Sequence, residues 1–258
     1  KTERKRDQAS AFSFDMSYCG PPPTPAELMG RWNFEPGLIT GLVLTALVGA
    51  VLLRSADSGR KAAFAGAWGL ASVLFVSPLC ALTVGLFSAR VGHHVLLAMV
   101  VAPLLALALP PRWGRVLPLL PPLALSTIAL WLWHAPDVYT AAFSHPGIYW
   151  AMQLSLLGTF TWLWLGLIRN GSVLPAGVTA LSSAIQMGLL GALLVFAPAP
   201  LYVPHFSGTL AYGFSPLDDQ QLAGLIMWVP ANLPLMVLAL WRLVAALDSR
   251  QTRQTAAS

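Results

Sequence analysis

The sequence predicts an all-α, polytopic membrane protein built as a bundle of seven transmembrane helices. Three observations predict it. The chain is 56% hydrophobic and only 10% charged over 258 residues, with a mean hydropathy of +0.67, so it has too few charges to cover a soluble surface. Apolar runs of about 16 to 26 residues recur along it, and a helix rising 1.5 Å per residue needs roughly 20 to cross hydrocarbon. The connections between the runs are short, which leaves no room for a soluble catalytic domain.

In order, the runs are Leu38 to Leu53, Ala62 to Leu86, His94 to Leu109, Val116 to Trp133, Ile148 to Ile168, Val178 to Phe196 and Leu222 to Leu247. Three regions follow: a Pro-rich periplasmic tail over 1–36, the seven-helix domain over 37–248 and a cytoplasmic tail over 249–258. The tail opens on a basic head, Lys1-Thr2-Glu3-Arg4-Lys5-Arg6, and continues into Cys19-Gly20-Pro21-Pro22-Pro23-Thr24-Pro25. The head lacks the apolar stretch and cleavage site of a signal peptide, and Met16 is a candidate start. Cys19 and Cys80 are too few for a disulfide framework and lack paired metal-ligand spacing, and a bridge between them stays open.

Sidedness comes from the loops. Alternate connections give one side Arg54, Arg60, Lys61, Arg112, Arg115, Arg169, Arg242, Arg250 and Arg253 against Asp57 and Asp248. The other side has Arg90 alone in its three loops, with Asp137, Asp218 and Asp219. The positive-inside rule makes the first side cytoplasmic, with the N-terminus out and the C-terminus in. The net charge of +5 therefore sets topology and meets anionic lipid; nucleic-acid binding is not expected.

On this topology all five histidines, His93, His94, His134, His145 and His205, fall on the outer side. Phe87 to Gly92 is read as an outer loop, so His93 and His94 start the third helix at the surface. Adjacent helical residues point about 100° apart, so only one of the two faces the bundle axis. His134 ends the fourth helix, where Trp131-Leu132-Trp133-His134-Ala135-Pro136 also reads as an ordinary aromatic belt and stop. His145 and His205 lie in loops, His205 at the periphery. Imidazole is the commonest protein ligand for transition metals, so a one-sided set points to a metal site. Polar residues also collect in loops for no other reason.

Tyr149, Met152 and Gln153 share one face of the fifth helix, and a Gln is turned away from lipid. Met152 is a candidate soft ligand, although Met in an apolar helix more often packs. Gln186 and Met187 raise the same alternatives. Asp218 and Asp219 precede the seventh helix, where acids complement the helix dipole or orient a metal-bound imidazole. Pro230, Asn232 and Pro234 predict a kink in that helix. Nucleotide-loop and nucleophile-elbow motifs are absent, no paired carboxylates lie inside a helix, and Lys1, Lys5 and Lys61 offer no membrane lysine for a retinal Schiff base.

Three stretches carry a resemblance. They are Ser88-Ala89-Arg90-Val91-Gly92-His93-His94-Val95-Leu96-Leu97 running to Ala102-Pro103-Leu104-Leu105, Trp133-His134-Ala135-Pro136 with Tyr139 and His145-Pro146, and Asp219-Gln220 with Ala223-Gly224-Leu225-Ile226-Met227-Trp228. Together with the entry Trp32-Asn33-Phe34-Glu35-Pro36, their order and spacing resemble the multi-spanning CtaG-type cytochrome c oxidase assembly factors, from about Tyr18 to Leu247. The resemblance implies a non-enzymatic role in maturing haem–copper oxidase at the outer face of a bacterial inner membrane, with copper bound transiently and oxidase subunits or another respiratory complex as partner. The family pattern has further histidines near Arg90, Tyr149 and Gln153, which this chain lacks. That leaves His94, His134 and His145 as matched ligands and His93 as a compensating one, with Asp219, Gln153, Met152, Tyr149, Asp137 and His205 as supporting residues. The competing readings are a metal-free accessory subunit or scaffold of a respiratory complex and a haem-binding membrane protein.

Overall fold

A computed structural model describes residues 17–111, 113 and 118–255. Among these residues every regular element is helical. The first helix, α1 (Pro36–Leu52), begins where Glu35 accepts from the Gly37 and Leu38 amides, at 2.9 and 2.7 Å, so the expected entry motif is an N-cap. α2 (Ser58–Val76) is capped by Asp57. It breaks at Ser77-Pro78 and resumes at 52° as α3 (Leu79–Gly85), because Pro78 has no amide hydrogen to continue the ladder.

α4 (Phe87–Ala108) follows at once, and its middle turn, Leu97–Val101, is π-helical. Pro103 gives no amide hydrogen to the turn behind it, and the Trp164 indole donates to the Ala98 carbonyl at 2.8 Å. α5 (Leu120–Trp133) and the short α6 (Pro136–Ser144) lead to two long spans, α7 (Pro146–Arg169) and α8 (Val173–Phe196). α9 (Pro216–Trp228) and α10 (Leu233–Thr255) meet at 229–232, where Asn232 donates back to the Trp228 carbonyl. The kink expected from Pro230, Asn232 and Pro234 is this junction.

Each of the seven apolar runs contains helix, but the count of seven spans is not confirmed. Four helical stretches are long and apolar enough to cross a membrane, Phe87–Ala108, Pro146–Arg169, Val173–Phe196 and Pro216–Ala245, and the bent pair α2–α3 makes a fifth. Pro36–Leu52 and Leu120–Trp133 are apolar but shorter. Composition finds apolar stretches; it does not see that proline and capping cut helices short of them. The basic head, Met16, Arg112, Arg115, Val116 and the side chains of Arg250 and Arg253 lie outside the described residues.

The bundle has two chemically distinct ends. At one, arginines sit on helix C-termini. Arg169 of α7 donates to the carbonyls of Ala106, Leu109 and Pro110 at the end of α4, Arg60 of α2 to Ala108, and Arg242 of α10 to Leu167 and Ile168 at the end of α7. A helix leaves its last carbonyls unpaired with a partial negative charge, and a guanidinium satisfies both needs. These are residues that the charge pattern assigns to the cytoplasm. The opposite end, around the start of α4, holds the histidines.

Candidate functional site

The site is built on the start of α4. Leu86, its N-cap, has no side chain able to cap, and the cap comes from α9: the Asp219 carboxylate accepts from the Phe87 amide at 2.6 Å, the Ser88 amide at 3.2 Å and the Ser88 hydroxyl. Asp219 is fully buried. It therefore orients a helix, and its oxygens are spent on that helix instead of on an imidazole. Asp218 caps α9 itself in a capping box with Ser215. Gln220 joins the same packing by accepting from the Leu201 amide and donating to the Leu194 carbonyl.

This remote cap corrects two expectations. Phe87 to Gly92 is helix, not an outer loop, so His93 and His94 lie in the second turn of α4 and are both buried. Arg90, expected in that loop, is only 2% exposed. Its Nε donates to the Thr83 carbonyl at 3.2 Å, its guanidinium carbon stands 5.0 Å from the Phe143 ring and 5.3 Å from the Tyr149 ring, and its Nη1 has no hydrogen-bond partner. Aromatic faces supply part of what a buried cation loses on leaving water.

The histidines fall into three environments. His93, His94 and His134 are consecutive neighbours, with ring centroids 5.9 Å apart for the first pair and 6.4 Å for the second. His134, the C-cap of α5, donates from Nδ1 to the Leu130 carbonyl at 2.7 Å, which leaves the lone pair on Nε2. Gln153 donates from Nε2 to His94 Nε2 at 3.3 Å, while His94 Nδ1 and both nitrogens of His93 have no partner. His93 rests edge-on against Phe75 at 5.0 Å.

His145 is exposed and caps α7 by accepting from the Gly147 amide at 2.9 Å, a structural use of its ring. His205, expected at the periphery, is instead 2% exposed among the rings of Phe87, Tyr139 and Phe143, with Tyr202 stacked on Phe87. The Tyr139 hydroxyl and His205 Nε2 share a hydrogen bond at 2.6 Å. Burial, aided by the nearby Arg90 guanidinium, pushes this imidazole down to about 3. The connection carrying it closes tightly, because a Cβ at Gly208 would stand 2.5 Å from the Gly85 carbonyl oxygen, a distance only glycine allows.

Of the supporting candidates, Tyr149, Met152 and Gln153 are buried on the shared face of α7 as their spacing predicts. Asp137 is exposed in the first turn of α6, away from that face. Met187 is buried, and Gln186 accepts from the Trp131 indole at 3.1 Å, joining α5 to α8. The tail contributes too. Ser17 to Gly20 forms a tight turn whose Gly20 adopts φ +82°, Tyr18 stacks on Tyr149, and Cys19 is disulfide-bonded to Cys80. Among the described residues no group of three or more His, Cys, Asp and Glu side chains is arranged to hold a metal ion.

The residues that sequence reasoning missed are Arg90 and Ser88 as parts of the interior and Asp219 as a cap. One signal pointed to Arg90: it is the only basic residue in three otherwise base-free loops, a place where burial explains a cation better than topology does.

No curated protein and no solved structure matches the chain. The family model described as cytochrome c oxidase caa3 assembly factor matches residues 44–123 and 112–249. Those limits take in Cys80, the Arg90 to His94 turn, His134, and Asp219 with its neighbour Gln220, while the Cys19 turn and the start of α1 precede them. The chain thus belongs to the cytochrome c oxidase caa3 assembly factor family.

Proposed function

We propose that the protein handles copper during assembly of a haem–copper oxidase, at the outer face of a bacterial inner membrane, and that it is not an enzyme. The observation that carries this reading is the buried row His93, His94 and His134, in which His134 has its Nδ1 proton fixed by a backbone carbonyl. Metal-binding histidines are oriented in that way, with the other nitrogen free to ligate. Copper here is cargo: His94 and His134 would take the ion between α4 and α5, with Gln153 adjusting at His94. His93 is the third donor when the helices close around it. His145, exposed and busy as a cap, serves at entry.

Two features support the outward placement. The Cys19–Cys80 disulfide lies at the histidine end, and disulfides persist in oxidising compartments. The arginines on helix C-termini lie at the opposite end, where the positive-inside rule puts basic residues.

His134→Ala should leave the protein inserted and at normal abundance while lowering its copper affinity at least tenfold, and oxidase copper content and activity should fall with it. Normal oxidase copper in that strain would defeat the ligand assignment. A second reading is favoured by the lack of a ready three-ligand group among the described residues: a metal-free scaffold that docks on the oxidase. Equimolar co-purification with oxidase subunits and no bound copper would select it.

A further inference from the structure

We propose that Cys19 and Cys80, once reduced, form a separate Cu(I) site at the mouth of the histidine row, so that the disulfide governs copper entry. This rests on the copper-handling reading above. Three observations place the pair on the route. Cys19 Sγ lies 3.7 Å from the Tyr149 hydroxyl, and Tyr149 is one helical turn from Gln153, which touches His94. Asn33 donates both to Cys80 Sγ at 3.6 Å and to the Phe75 carbonyl, and the Phe75 ring packs on His93. The disulfide therefore sits at one place beside the row, linked to His94 through Tyr149 and Gln153 and to His93 through Asn33 and Phe75.

The second argument is charge. A copper(I) ion held by two thiolates carries one net negative charge. Arg90 supplies one positive charge over the Tyr149 ring that Cys19 touches, and its Nη1 is buried without a partner. Thiolates are soft ligands that select Cu(I), and the anionic complex is the counter-charge that the buried guanidinium lacks.

Opening the site needs a dithiol reductant. Cys19 is partly exposed while Cys80 is 1% exposed, so a donor thiolate attacks Cys19 Sγ. A mixed disulfide forms and Cys80 leaves as a thiolate. The donor's second thiol then resolves the mixed disulfide. The donor ends as a disulfide, two electrons poorer, and the protein holds two thiols carrying the donor's two protons. Cu(I) displaces those protons with no change in its own oxidation state.

The test is a Cu(I) titration of the full chain in detergent against a chromophoric Cu(I) chelator, before reduction and after reduction with the reductant removed. The reduced protein should bind one more Cu(I) per chain than the oxidised protein. Cys19→Ser with Cys80→Ser should abolish the difference; if that variant does not fold, alkylation of the two thiols in the reduced native chain should do the same. Arg90→Gln should weaken the reduction-dependent ion about tenfold. Equal binding in both redox states, or an extra ion that survives thiol blocking, overturns the proposal. If His94→Ala with His134→Ala loses the other copper but keeps the reduction-dependent ion, both sites stand. If the oxidised protein binds no copper while reduction adds one, the histidine reading fails and the thiol site holds.

Discussion

At one end of the bundle Arg60, Arg169 and Arg242 point their guanidinium groups at helix C-terminal carbonyls; at the other, Arg90 stands four residues into a helix, near its positive pole, with a nitrogen unpaired. The chemical group is the same, and Arg90 too reaches a carbonyl in the last turn of a helix, that of Thr83 in α3, but the rest of its guanidinium faces the rings of Phe143 and Tyr149 instead of further carbonyls. A guanidinium on orphan carbonyls completes hydrogen bonding that a membrane offers no water to complete. A guanidinium against aromatic rings gains less hydrogen bonding and keeps a spare donor. The first three explain stability. Arg90 holds one carbonyl, that of Thr83, lies against the Phe143 and Tyr149 rings, and keeps Nη1 spare.

The contrast can be broken most severely at the cap that creates the histidine end. Asp219→Ala should strand two amides and a hydroxyl at the start of α4 and destabilise the protein by about 3 kcal/mol, seen as a lower melting temperature in detergent, while Asp219→Asn should retain much of the loss. At the arginine end, Arg169→Met should cost about 2 kcal/mol by releasing the α4 carbonyls. An unchanged melting temperature there would remove the distinction between the two ends. Arg90→Met should act in the opposite direction and raise stability by about 1 kcal/mol, because an unmatched buried charge is replaced by an apolar group of similar length. A loss of stability would mean that Arg90 is structural after all.

The smallest effect is a pH slope at His205. In the unfolded chain its imidazole takes up a proton near the ordinary 6.5, but in the fold only near 3. Between these values the unfolded state binds more protons, so stability falls as pH drops from about 6.5 toward 3. The groups facing it, Arg90 and Tyr139, bring no negative charge to offset this. Comparing melting temperatures at pH 7.5 and 5 should show a shallower drop for His205→Gln than for the native chain.

Much of the fold was legible because lipid-facing helices advertise themselves by length and composition. The seven apolar runs all contain helix, and the basic side of the charge pattern is the arginine end. The starts of helices were less legible. Glu35 caps α1 from within its own segment and could be read, whereas the cap of α4 is Asp219, 132 residues further along the chain. With that cap invisible, Phe87 to Gly92 looked like a loop, His93 and His94 looked superficial, and Arg90 looked like a topology marker. His205 was misplaced for a related reason: the rings around it, Phe87 and the pair Tyr139 and Phe143, come from two distant parts of the sequence. Gln153 was legible because it stands on a helix face that periodicity predicts, and His134 because the Pro136 stop marks its helix end.

The π-helical turn at Leu97–Val101 lies directly below His93 and His94. Such a turn accommodates one residue more than a regular helix of the same rise, so the two halves of α4 are out of angular step with each other. Deleting a single residue there would return the helix to step while swinging the paired imidazoles about a quarter of a circle around its axis. The turn thus works as a set screw: Arg169 fixes the lower half of α4, Trp164 holds the turn itself at Ala98, and this one surplus residue decides which way the histidines look.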